Sequence, residues 1–177
     1  MSHHILGECA VVEILVLGLG NILRSDDGVG VRVVERLQDE YDLPERVESF
    51  DGGTRGPALV PCLEGVRKLL VVDAVVSGKE PGAVTRQEGK DLEGSPDRLV
   101  SLHQEGLVDL LMFAHIVDSY PEEVVLWGVE PAVLESGEEL SPRVAARTDE
   151  LVEGVIEELR GWGAEIRPKK RERSSTS

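Results

Sequence analysis

A chain of 177 residues, 41% hydrophobic and 30% charged, is long enough to bury one sizeable core and fits a single soluble domain. Its formal charge of −15 is uneven: residues 167–177 hold five basic groups and one acid, which leaves −19 on residues 1–166. An acidic body lacks the Lys and Arg that neutralise phosphates, which argues against nucleic acid as a partner. No apolar run is long and uncharged enough for membrane insertion either.

Two unpatterned cysteines, Cys9 and Cys62, form no C-x-x-C and point to reduced thiols in a cytoplasmic protein, with Cys62 expected as buried packing. Residues 1–10 lack a basic n-region and read as a loose lead-in. Residues 11–167 read as one domain and 168–177 as a basic, disordered tail.

The first organised stretch is β-branched and apolar from Val12 to Leu17, as a buried strand requires. It breaks at Gly18 and Gly20, passes through Ser25, Asp26 and Asp27, and opens a helix. There Gly30, Val33, Val34, Leu37 and Tyr41 share a face opposite Arg32, Glu35, Arg36 and Asp39. A short strand over 47–50 ends at Asp51-Gly52-Gly53-Thr54, a short helix is predicted over 57–63, and the next strand, 69–72, ends on Asp73. Crossovers of this length imply parallel pairing.

Ser77-Gly78-Lys79-Glu80-Pro81-Gly82 is too short for a helical crossover, so the strand over 83–87 is expected antiparallel at a sheet edge. Residues 88–102 read as a polar loop that delivers His103 to the start of a helix with Leu107, Leu110, Leu111 and Ala114 as its apolar stripe. A strand over 124–127, one helix over 142–160 and a strand over 164–167 follow. These elements predict an α/β fold, a three-layer α-β-α sandwich around a mostly parallel twisted sheet with one antiparallel edge strand.

Strands that end at Gly18, Asp51 and Asp73 bring Asp26, Asp27, Asp51 and Asp73 to the carboxyl edge of the sheet, where open α/β sheets bind ligands. The glycine turn fails as a dinucleotide fingerprint: Leu23 replaces the third glycine, and the next strand-end acid, Asp51, lies 31 residues past Gly20. An ionised Asp73 in so apolar a strand calls for a cation or several donors. Clustered acids plus the imidazole of His103 make a plausible divalent site of two oxygens and one nitrogen. The same residues have plainer readings that spacing leaves open: Asp26 or Asp27 as a helix N-cap, Asp51 as a turn acid, His103 as a cap.

The run Gly18-Leu19-Gly20-Asn21-Ile22-Leu23-Arg24-Ser25-Asp26-Asp27-Gly28-Val29-Gly30 joins Asp51-Gly52-Gly53-Thr54, Val72-Asp73-Ala74 and His103-Gln104-Glu105-Gly106-Leu107. With Gly128-Val129-Glu130-Pro131 and the long closing helix, this order and spacing resembles the NiFe-hydrogenase maturation endopeptidases over about residues 13–167. The resemblance implies an endopeptidase that removes a C-terminal extension from the hydrogenase large-subunit precursor after nickel insertion. It also implies Asp27, Asp73 and His103 as metal ligands, reading nickel presented by the substrate or holding another divalent metal. Asp51 matches a further acidic position of the family, and Asp51 or Asp26 is the expected catalytic base. Two other classes compete: a non-catalytic nickel-binding chaperone for the same precursor, and a nucleotide-binding α/β protein.

Overall fold

The computed structural model describes residues 12–93, 100–101 and 104–170. β1 (Ile14–Leu19) is buried along its whole length, as befits a parallel strand covered on both faces. A 3-10 helix (Ser25–Gly28) leads into α1 (Val29–Glu40), followed by β2 (Tyr41–Asp42) and β3 (Val47–Gly53). A second 3-10 helix (Gly56–Leu63) precedes β4 (Lys68–Val76), β5 (Val84–Glu88), α2 (Gly89–Glu93) and β6 (Val100–Ser101). Then come α3 (Gln104–Ile116), β7 (Glu123–Val129), α4 (Pro142–Ala145), α5 (Thr148–Gly161) and β8 (Arg167–Pro168).

The main sheet runs β3-β1-β4-β7-β5. Its first four strands are parallel, and β5 lies antiparallel to β7 at the edge, as the short turn before it predicts. Alternation along the strands divides the interior in two. Val16, Leu70 and Val72 face α1 and α5, whereas Leu15, Leu17, Leu69 and Val71 face the second 3-10 helix and α3. The result is the expected three-layer α-β-α sandwich.

From β1 the chain crosses to β3 on one side and later to β4 on the other, so the strand order reverses between β1 and β4. A reversal of this kind opens a crevice at the carboxyl ends of the two strands. Two glycines bring α1 down onto it. A Cβ on Gly30 would lie 2.1 Å from the Val72 carbonyl oxygen, and one on Gly18 would lie 2.3 Å from that of Gly30. Backbone meets backbone there, which fixes the start of α1 over the crevice.

Four sequence expectations need correction. The helix expected over 142–160 is two helices, α4 and α5. Ala146 and Arg147 tighten the chain with N–H bonds to Pro142, and to Val144 at 2.9 Å, before α5 begins. The loop expected over 88–102 contains α2 and β6, and β6 pairs antiparallel with the end of β4. The start of the tail is anchored, since β8 pairs with β2 and the Lys169 N–H donates to the Glu40 carbonyl at 2.8 Å. Cys62 is exposed, not core packing. The lead-in 1–10 and the tail beyond 170 lie outside the described residues, as does His103.

Candidate active site

The turn after β1 builds the site. Gly20 has φ +119°, a conformation that L side chains avoid. Its N–H donates to the Gly53 carbonyl at 3.0 Å, which ties the turn to the end of β3. A Cβ on Gly20 would lie 1.8 Å from the Asp27 carbonyl oxygen and 3.7 Å from Asp73 Oδ1. Gly20 is thus enclosed by the Asp27 backbone carbonyl and the Asp73 carboxylate, while the Asp27 carboxylate sits on the N–H of the next residue, Asn21. Asp27 enters from the 3-10 turn before α1 and Asp73 from β4, at the mouth of the crevice. Where a dinucleotide site would present bare backbone to a pyrophosphate, this turn presents Asp27 and a carboxylate, which disfavours the nucleotide reading.

Both acids are fully buried. Asp27 Oδ2 accepts from the Asn21 N–H at 3.2 Å, and Asp73 Oδ1 accepts from the Ala74 N–H at 2.8 Å. Burying an ionised carboxylate costs several kcal/mol unless donors or a cation meet it, so two buried acids on one turn suit a positive charge. Two hard oxygens suit a divalent cation, and an imidazole as third donor shifts the preference toward nickel, zinc and copper. Among the described residues no three His, Cys, Asp or Glu side chains gather as a ligand set. His103, the expected third ligand, lies outside them, directly before α3 in the chain.

Asp26 does something different from its neighbour. It is fully buried, and its Oδ1 accepts from the Ser141 N–H at 2.7 Å. Its Oδ2 accepts from Ala132 N–H, Val133 N–H and Ser141 Oγ–H, each at 2.8 Å. Both oxygens are thus spent on the chain between β7 and α4, which Ser25 and Leu23 also grip through backbone bonds to Gly137. The expectation of Asp26 as a base is therefore withdrawn: a carboxylate with four donors on it is a clamp. The N-cap reading of either acid also fails, because α1 is capped at Gly28 without a side-chain bond.

Asp51 is exposed. The register sets it level with Gly18, which in turn is level with Val72. Residues side by side in a sheet share a face, so Asp51 stands on the α1 face and Asp73 on the other. The two acids reach one edge from opposite sides of the sheet, a separation that the sequence-based grouping overlooked. His115, near the end of α3, stacks on Tyr120 with ring centroids 3.9 Å apart.

Sequence reasoning gave no role to Glu130. This acid follows β7 as Asp73 was expected to follow its strand, and that similarity was the available signal; β4 itself runs on through Asp73 to Val76, past the expected end at 72. Glu130 Oε2 accepts from Ser77 N–H at 2.8 Å and Ser77 Oγ–H at 2.7 Å, and Oε1 accepts from Gly78 N–H at 3.3 Å. Burial alone pushes its pKa up; the hydrogen bonds from Ser77, Lys79 and Gly78 outweigh that and hold the carboxyl below the usual range. A depressed folded-state pKa contributes stability that is fully present above the unfolded pKa and lost as pH falls through the folded value. Glu130→Gln, whose amide turns N–H toward donors, is expected to lower unfolding free energy by about 1–3 kcal/mol at pH 7. In urea titrations the gap from wild type should shrink steadily below about pH 4; a gap independent of pH would refute the assignment.

The comparisons with known proteins agree with one another. The family model described as hydrogenase maturation protease matches residues 31–158, a stretch that includes Asp51, Asp73 and His103 and starts after Asp27. The hydrogenase 2 maturation protease of Escherichia coli is 38% identical over 159 residues, covering 89% of this chain and 97% of that one. The hydrogenase expression/formation protein HupD of Rhodobacter capsulatus is 39% identical over 156 residues, covering 87% and 74%. Among solved structures, the hydrogenase maturating endopeptidase HybD of E. coli superposes with a TM-score of 0.83 at 37% identity, covering 89% of this chain and 98% of that one. The [NiFe] hydrogenase maturation protease HybD of Thermococcus kodakarensis gives 0.71 at 27% identity, covering 83% and 98%.

Proposed function

We propose, on the premise that this chain belongs to the hydrogenase maturation proteases, that it cuts the C-terminal extension from a NiFe-hydrogenase large-subunit precursor once nickel has been inserted. It is an endopeptidase, and so a hydrolase. In this reading Asp27, Asp73 and His103 recognise the nickel that the precursor carries. The observation that carries it is a pair of buried acids on one glycine turn, with the Asp73 carboxylate beside Gly20 and the Asp27 carboxylate on the Asn21 N–H. Nickel arrives as part of the substrate, and its charge offsets the cost of burying two acids, so a loaded precursor is held more tightly than an empty one.

A divalent ion at this point polarises a nearby peptide carbonyl and makes an attacking water more acidic. Asp51, exposed and free of the clamp that occupies Asp26, is the acid left to accept that water's proton and pass it to the departing amide nitrogen. The new C–O bond forms as the C–N bond breaks, which leaves a carboxylate on the subunit and an amine on the released peptide. A cytoplasmic setting fits the exposed, unpaired Cys62, since such thiols persist in reducing compartments. Among the described residues no helix is long and apolar enough to cross a membrane.

The test is the intact mass of purified precursor after incubation with this protein, with and without nickel loaded. One defined C-terminal peptide should be lost from the nickel-loaded form, at least about tenfold faster than from the nickel-free form, an affinity difference of roughly 1.4 kcal/mol. Stable complex formation with no change in mass would instead establish the chaperone reading.

A further inference from the structure

α3 has two apolar sides and only one of them is buried. Leu107, Leu110, Leu111 and Ala114 pack into the core beneath it. On the other side Val108, Met112, Phe113, Ile116 and Val117 stand between 43% and 70% exposed. At about 100° per residue they spread over the outward half of the helix, with Met112 and Ile116 in line with Val108 and with Phe113 and Val117 to one side. Helices that are apolar all round are normally covered on all sides. Five such side chains expose on the order of 400–500 Å² of apolar surface, as much as the largest patch on a typical monomer.

The same face carries negative charge: Asp109 lies one turn before Met112 and Phe113, and no Lys or Arg occurs anywhere in 99–142. We infer that the exposed face of α3 is a docking surface for the folded body of the hydrogenase precursor, seated through an apolar patch that also carries Lys or Arg to meet Asp109. This rests on the protease reading above and adds to it a second point of contact away from the scissile bond.

Charge and size select this occupant over a second copy of the chain. Two copies facing through α3 would set acid against acid on bodies of formal charge −15 each. The patch also offers only about half of the roughly 800 Å² per partner that a stable interface buries. A contact of that size suits a partner that must leave after a single cut. Position agrees as well. α3 begins at the residue after His103, and a Cβ on Gly56 would lie 3.2 Å from Gly106 Cα, so the first turn of α3 abuts the loop that follows Asp51. A precursor held at the carboxyl edge of the sheet meets the start of this helix next, and the patch lies farther along it, mostly in its last two turns.

The experiment compares wild type with the double variant Met112→Ser/Ile116→Ser and with Asp109→Lys, using nickel-loaded precursor at varied concentration. The serine variant should lose at least about tenfold in kcat/KM through KM, with kcat at saturation and Tm essentially unchanged, because the side chains removed are exposed and stand apart from the reacting atoms. The wild-type KM should rise with salt, and that slope should flatten in Asp109→Lys. Unchanged kcat/KM in the serine variant overturns the proposal. So does light scattering that finds a wild-type dimer and a monomeric variant, since the face would then be covered by a second copy. Should wild type not cut the precursor, the protease reading fails by itself, and direct titration of precursor onto wild type and variant still decides the docking surface: binding lost only in the variant sustains it, and equal or absent binding overturns it.

Discussion

Asp73→Asn is expected to abolish processing of the nickel-loaded precursor while leaving the protein folded. The substitution is nearly isosteric, and its Oδ1 keeps the 2.8 Å bond from the Ala74 N–H, so the end of β4 retains its local geometry. What disappears is a buried negative charge. Removing it relieves desolvation while the shape and the Ala74 bond are kept, so Tm should stay close to that of wild type. Activity depends on the same charge in the opposite sense. Partners one shell out from a metal typically cost 10–100-fold on mutation, and a direct ligand is expected to cost at least about 100-fold. Wild-type cleavage by Asp73→Asn would remove this residue from the site. Loss of cleavage together with a collapsed melting transition would show it to be structural.

Asp73 was the most legible site residue because its sequence context is contradictory: an acid inside Leu69-Leu70-Val71-Val72-Asp73-Ala74-Val75-Val76 has no purely apolar explanation. The parallel core strands were legible for a related reason, since unbroken apolar runs of strand length are what a sheet covered on both faces demands. Only the resemblance separated Asp26 from Asp27; their local chemistry did not. They are adjacent, chemically identical and both buried, and what distinguishes them is the donors on the far side of the chain, at Ala132, Val133 and Ser141. Pairing over more than 100 residues leaves no local signature.

The two faces of Asp51 and Asp73 were hidden for another reason. Each strand end could be located, but which face a residue takes depends on register, and register follows from pairing. α3 shows the same limit: Leu107, Leu110, Leu111 and Ala114 announced a buried stripe, while Val108, Met112 and Ile116 received no place. Only the packing of the layers shows which stripe is left uncovered.

The largest stability effect should come from a residue that leaves the chemistry alone. Asp26→Ala removes four acceptor contacts at once and strands three backbone N–H groups and the Ser141 hydroxyl. An orphaned buried donor costs about 1–3 kcal/mol. The four costs do not add in full, because the chain between β7 and α4 can relax toward water once released. A total near 3–5 kcal/mol is expected, in the range for breaking a buried charged network. At about 2–4 °C per kcal/mol for a chain of this length, Tm should fall by roughly 10 °C or more. Asp26→Asn should fall between, since one oxygen still accepts while the amide N–H₂ confronts donors. Residues 131–141, held largely by this clamp, should become the first site of proteolytic nicking in Asp26→Ala. The order of effects then separates the two neighbouring acids. Asp27→Asn, like Asp73→Asn, should lose cleavage with little change in Tm. Asp26→Ala should lose stability first and regain most of its cleavage rate when assayed well below its melting point. If instead Asp26→Ala melts like wild type and still cannot cut, the clamp is not what Asp26 is for, and it returns to the list of candidate bases.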